Sequence, residues 1–233
     1  MISPLLRAVT VNVLLLTLAS CASGTPLAYV SLGDSLAVGV GSSDPQERGY
    51  APLYRDLLQE EKGHGVKLIQ LGVAGETSES FTYGSDSQLS RAEETLKANP
   101  GAYVTLSLGG NDLLAVASST DAEREAAISR YAENLDYILR TLVNASGPAP
   151  KITILTLYNP APGSFTDQWA GRLNESIREV AGREGVSVAG GDEAFQGHED
   201  EYAHYARYPW DIHPTDEGYE ALARTLAGAT EKT

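Results

Sequence analysis

The sequence predicts a three-layer α/β/α domain built on a parallel sheet of about five strands. Three observations carry that expectation: short β-branched or apolar runs alternate with longer stretches of helical period, each short run is apolar almost throughout, and no repeat or linker divides the chain. Alternation of this kind is the pattern of βαβ units, and a strand covered by helices on both faces has no polar side to show. The 233 residues suit one domain with a sizeable core.

Taken in order, strands are expected at Leu27–Leu32, Val66–Leu71, Tyr103–Leu108, Ile152–Leu157 and Val186–Val188. The clearest helix runs from about Asp121 to Ala145, where Ile128, Tyr131, Leu135, Ile138 and Leu142 recur at spacings of three and four. A second passes through Trp169, Leu173, Ile177 and Val180 and stops before Gly185. A third covers about Thr215–Ala227, with Thr215 as N-cap, Asp216 and Glu217 at the positive end of the helix dipole, and Tyr219, Leu222 and Leu226 facing inward. The acidic, aromatic stretch Gly190–Trp210 has no clear period. Loops beyond the carboxyl ends of parallel strands build binding sites, so it is expected to form a pocket wall.

Ahead of the first strand, Arg7 precedes an apolar run from Ala8 through Leu18. About a dozen residues is short for a membrane span but suits a signal peptide. The run ends Leu18-Ala19-Ser20-Cys21, which resembles the bacterial lipobox. That resemblance implies cleavage before Cys21 and a diacylglyceryl group on its sulfur. Residues 1–20 are then a lipoprotein signal peptide, 21–26 a tether reaching at most about 20 Å, and 27–229 the folded domain, held outside the cytoplasm on a bacterial membrane through lipidated Cys21. An ordinary secretory peptide with an incidental cysteine, or a buried N-terminal strand, are the competing readings.

Composition excludes several classes of function. Seventeen Lys and Arg against 31 Asp and Glu give a formal charge of −14, so the chain has no basic footprint for nucleic acid. Cys21 is the single cysteine, which excludes a disulfide framework and a zinc site of several thiolates.

The first strand runs into Gly33-Asp34-Ser35-Leu36. A serine there projects where helix N-termini and backbone N–H groups converge, although a turn serine capping a helix gives the same tetrapeptide. Three more blocks follow in order: Leu71-Gly72-Val73-Ala74-Gly75-Glu76-Thr77-Ser78 after the second strand, Leu108-Gly109-Gly110-Asn111-Asp112 after the third, and Asp211-Ile212-His213-Pro214 before the last helix. Together they resemble the GDSL, or SGNH, hydrolase family, from about Ala28 to Ala227. The resemblance implies a flavodoxin-like sheet, hydrolysis of acyl esters in small molecules, lipids or glycans, and no cofactor or metal. It gives Ser35 the nucleophile's role, His213 the base's, and Gly75 and Asn111 places in the oxyanion hole. Thioesterase and lysophospholipase activities belong to the same family, and a non-catalytic envelope protein binding a glycan or acylated ligand is the alternative of another class.

The residue types suit that chemistry independently. A serine hydroxyl is a weak nucleophile until an imidazole accepts its proton, and His213 is the best placed of four histidines. An attacked carbonyl becomes an oxyanion that needs preorganised donors: the N–H of Ser35, the N–H of Gly75 and the amide of Asn111. Gly75 is also what a left-handed turn requires, Asn111 what a helix N-cap uses, and His213 an ordinary turn residue.

The orienting acid departs from the family pattern, which places it three residues before the histidine. Trp210 occupies that position, and Asp211 lies only two before. Residues i and i+2 of an extended segment share a face with Cα atoms roughly 6.5 Å apart, so Asp211 is assigned the orienting role. A Ser–His dyad held by a backbone carbonyl, or Asp192 folding in, are the competing accounts. Gly33 through Gly41 lacks the Gly-Lys-Ser/Thr ending of a P-loop, and His198, Glu199, Asp200 and His204 lack zinc-protease spacing. Tyr202, Tyr205, Tyr208 and Trp210 either line an acyl or sugar pocket or pack within their loop.

Overall fold

The computed structural model describes residues 26–230. The signal-peptide segment, Cys21 and the tether up to residue 25 lie outside the described residues. Elements follow in the order β1 (Leu27–Gly33), α1 (Ser35–Val38), α2 (Tyr50–Lys62), β2 (Val66–Gln70), α3 (Ser78–Thr82), α4 (Gln88–Ala98), β3 (Tyr103–Ser107), α5 (Gly110–Leu114), α6 (Asp121–Val143), β4 (Lys151–Leu155), α7 (Thr166–Glu184), β5 (Ser187–Ala189), α8 (Gly191–Phe195), α9 (Glu199–Tyr202), a 3-10 turn (His204–Ala206) and α10 (Asp216–Thr230). All five expected strands form, each within two residues of its expected ends.

The sheet is parallel throughout with order β2-β1-β3-β4-β5, the doubly wound order of flavodoxin-type folds. The order in which strands are added to the sheet reverses between β1 and β3, so the loops leaving these two parallel strands stand side by side. Side chains alternate across the sheet. Val30, Leu32, Val104, Leu106 and Ile154 pack against α4, α6 and α7, while Tyr29, Tyr103 and Leu155 pack against α2, α8 and α10. Among the described residues no helix is long and apolar enough to cross a membrane.

The α2 side is less apolar than a two-sided buried strand leads one to expect. Ser31, Thr105 and Thr153 lie opposite one another in register on adjacent strands and are buried. Two of them meet other hydroxyls: Tyr29 Oη of β1 lies 2.8 Å from Thr105 Oγ1, and Thr153 pairs with Thr230 of α10, while close by Tyr50 of α2 donates to Ser107 Oγ at 3.4 Å. Buried tyrosines need such partners.

Besides short helices of about one turn, two longer ones were not among those expected. Tyr50, Tyr54 and Leu58 of α2 recur at four-residue spacing, as do Leu89, Ala92 and Leu96 of α4 at three and four, and all are buried. The period was present but short. The Gly190–Trp210 stretch also needs correction: it contains α8, α9 and the 3-10 turn, each only about one turn long and so invisible to a period test.

Candidate active site

β1 ends at Gly33, and Asp34 caps the short helix α1. Its buried Oδ1 accepts from Leu36 N–H at 3.0 Å and from Ser107 Oγ at 3.1 Å. Ser35 is therefore the first residue of a helix, with no turn before it to take its N–H. Buried Gln88 clamps the strand exit, accepting from Gly33 N–H at 2.6 Å and donating to Gly33 O at 2.9 Å and to Glu76 Oε2 at 2.7 Å.

Glu76 begins the second block's link to the third. Its N–H closes a turn onto Val73 O at 3.1 Å, and Gly75, third in that turn, has φ +84°. A left-handed residue at that place is the signature of a type II turn. The Glu76 carbonyl accepts from Asn111 Nδ2 at 2.9 Å, leaving the second hydrogen of that amide free of it. Gly109, not Asn111, caps α5, so Asn111 sits in the first helical turn. Asp112 accepts from Ser78 N–H and from Ser78 Oγ at 2.5 Å, which fixes the same two loops a second time.

His213 comes from the far end of the chain. Its Nε2 lies 3.0 Å from Ser35 Oγ, and its Nδ1 lies 2.8 Å from Asp211 Oδ1. The geometry differs from the extended segment expected. Asp211 Oδ1 also accepts from the backbone N–H of His213 at 3.1 Å, while Asp211 N–H bonds Tyr208 O at 2.8 Å. A side-chain oxygen bonding the N–H two residues on is an Asx turn, and that turn folds the carboxylate back onto the ring. A two-residue spacing therefore makes the contact that a three-residue spacing makes in the family pattern. Asp192 is engaged elsewhere, bonded by Thr156 Oγ1 at 2.5 Å and Arg178 at 2.8 Å.

The loop bearing His213 is tied down on every side. Tyr158 donates to Ile212 O at 2.7 Å, His204 N–H to His213 O at 3.0 Å, and Thr215 N–H to Tyr202 O at 2.9 Å. His204 Nε2 donates to Gly41 O at 2.8 Å, and Gly41 presses against the ring-bearing residue so closely that a Cβ there would lie 2.7 Å from His213 Cβ. Gly218 N–H bonds Thr215 Oγ1 at 3.2 Å, as an N-cap of α10 should.

Charge is tuned by burial. Desolvation pushes Asp34 up to about 7 against the bonds it accepts, and raises Asp112 in the same way. Burial also opposes ionisation of Asp211, but the His213 N–H and ring outweigh it and hold that carboxyl below the usual carboxylate range.

Ser35, Asn111 and His213 open onto a cavity of about 300 Å³. Gly75 does not line it; it immediately precedes Glu76, whose carbonyl accepts from Asn111. Of the four aromatics considered for the pocket, only Tyr205 lines it. Tyr202 packs on Phe195 and His198, and Tyr208 and Trp210 are 37% and 81% exposed. The remaining wall comes from the loop between β4 and α7, including Tyr158, Pro160 and Phe165, and from Leu113 and Leu114 of α5. Its sequence signal was its place after the fourth strand, with Pro160, Pro162 and Gly163 marking a loop. His198 pairs with Glu201 and His204 with Gly41, so the acidic stretch does not converge on one point.

Known proteins share this frame. The curated spore germination lipase LipC of Bacillus licheniformis is 29% identical over 213 residues, covering 87% of this chain and 96% of that protein. A solved lipase, Lip_vut3 from a goat rumen metagenome, superposes with a TM-score of 0.70 at 25% identity over 87% of this chain and 97% of that one. The acetylxylan esterase Axe2 of Geobacillus stearothermophilus has the same fold, with a TM-score of 0.65 at 20% identity over 89% and 95%. A sequence model described as the GDSL-like Lipase/Acylhydrolase family matches residues 31–221. That match begins inside β1 and ends inside α10, so it takes in each loop built above, and the chain belongs to the GDSL-like lipase/acylhydrolase family of ester hydrolases.

Proposed function

We propose that the chain is a serine esterase that cleaves acyl esters through an acyl-enzyme. The observation that carries the reading is the run of contacts from Asp211 through His213 to Ser35, 2.8 and 3.0 Å long. With Nδ1–H directed to Asp211, His213 presents a lone pair to the serine hydroxyl. Ser35 Oγ attacks the ester carbonyl as its proton passes to His213 Nε2. The alkoxide leaves with that proton, and water attacks the acyl-Ser35 ester with His213 again as base. The N–H groups of Ser35 and Gly75 and the free amide hydrogen of Asn111 are the donors for the oxyanion, each worth a factor of about 10² to 10³ in turnover.

The test is hydrolysis of 4-nitrophenyl esters by purified protein and its Ser35→Ala variant, with a fluorophosphonate probe as second readout. Hydrolysis falling by about 10⁶ in the variant, together with probe labelling at Ser35, supports the mechanism. A protein that turns over no ester and takes no label acts as a binder. For the N-terminus the proposal is the lipoprotein route: cleavage before Cys21 and acylation of its sulfur, supported by Leu18-Ala19-Ser20-Cys21. Intact-protein mass after expression in bacteria checks it, and an unmodified Cys21 would sink it.

A further inference from the structure

Away from the reacting groups the cavity is walled by Leu113 and Leu114 of α5, Leu157, Pro160 and Phe165 of the β4–α7 loop, and Ala170 of α7. Its polar lining atoms are mostly spent. Ser164 and Thr166 hydroxyls lie 2.6 Å apart, Thr166 Oγ1 also donates to Asn159 Oδ1 at 2.6 Å, and Tyr158 gives its proton to Ile212 O. A sugar there would leave hydroxyls unpaired, which is costly, whereas a methylene chain loses nothing. At about 30 Å³ per water-sized group, 300 Å³ less the space for the reacting ester holds roughly six or seven carbons.

The walls are also held at a set width. Asn159 bonds Ala161 N–H and Asp167, and buried Asn174 clasps both backbone groups of Leu157, so the β4–α7 loop is stiff. Arg124 of α6 does not itself line the cavity but ties the turn that follows α5 to Phe165 of the opposite wall. On the α5 side its Nε and Nη2 donate to Val116 O and Ala117 O at 3.3 and 2.7 Å; on the other its guanidinium lies 5.6 Å from the ring centroids of both Phe165 and Trp169. Asp121 takes a third N–H at 2.8 Å. A guanidinium that gives two N–H groups to the turn after α5 while its cation sits over the Phe165 and Trp169 rings cannot be replaced by lysine.

We infer that this cavity is an acyl-chain site for aliphatic chains of medium length, and that Arg124 is the positioning residue that sets its width. The inference rests on the serine-esterase reading. The experiment measures kcat and KM of the purified protein on 4-nitrophenyl esters from acetyl to palmitoyl. Between acetyl and octanoyl, kcat/KM is expected to rise by up to about fourfold per methylene buried, then to fall for chains too long for the cavity. Ala170→Leu fills the site and is expected to lower the octanoyl-to-acetyl ratio of kcat/KM at least tenfold. Arg124→Lys is expected to raise KM for octanoyl several-fold while kcat and the KM for acetyl stay within twofold, a split that general loosening of the fold would not give. Acetyl turnover with no gain for longer chains overturns the acyl site and leaves the esterase standing. Equal losses on acetyl and octanoyl in Arg124→Lys remove its positioning role, and absence of turnover on every ester overturns the esterase reading and this one with it.

Discussion

At the residue scale, two aspartates near Ser35 do opposite things because their surroundings differ. Asp211 Oδ1 receives both the ring and the backbone N–H of His213. Asp211→Asn keeps an oxygen for the backbone bond but offers the ring no charge and favours the wrong tautomer, so kcat is expected to fall by on the order of 10⁴ with the melting temperature little changed. Unchanged turnover would take Asp211 out of the mechanism. Asp34, by contrast, is buried and pushed up to about 7 from an ordinary 3.8. The unfolded chain releases this proton near pH 4 and the folded one only near 7, so the folded state holds more protons between them and stability falls as pH rises through that window. The loss is on the order of 4 kcal/mol, or roughly 10 °C in the midpoint for a domain of this size. Asp34→Asn is expected to shrink the decline between pH 4 and 7, with buried Asp112 supplying what remains. Melting curves falling in parallel for the two proteins would place the titration elsewhere.

At the element scale, the site is assembled by strand exits and held by loop-to-loop bonds rather than by any one helix. Gln88 of α4 joins the exit of β1 to the Glu76 turn, and Asn111 joins that turn to α5. The His213 loop is bound to the α1 end through Gly41, whose φ of +95° and whose crowding against His213 both demand glycine. Gly41→Ala would put a Cβ 2.7 Å from His213 Cβ and 2.9 Å from Pro214 O, neither free to yield. Displacement of the imidazole by even about 1 Å predicts a drop of roughly 10² in kcat, read in a steady-state assay with circular dichroism to show that the fold persists. Wild-type turnover in the variant would mean that the loop position is not set there. Neither Gln88 nor Gly41 was among the expected site residues, because each acts on backbone atoms of a segment distant in sequence.

At the scale of the whole molecule, a charge of −14 surrounds a cavity whose wall is apolar. An ester presented in anionic vesicles should be approached more slowly than one in zwitterionic vesicles at low salt, with the two rates converging above about 0.1 M as the Debye length drops to about 10 Å; equal rates at low salt would show that net charge does not govern access. The sequence alone determined the layer order, the five strands and the long helices α6, α7 and α10, because apolar period is a local property that survives in any context. It also named Ser35, Asn111 and His213, which line one cavity, and Gly75, which lies outside that lining. The tertiary structure decided that Asp211 reaches His213 through an Asx turn, that Asp192 pairs with Arg178 instead, and that the β4–α7 loop rather than the aromatic stretch forms most of the pocket wall. These are relations between segments far apart in the chain or turns a residue or two long, and neither leaves a period for a sequence to show.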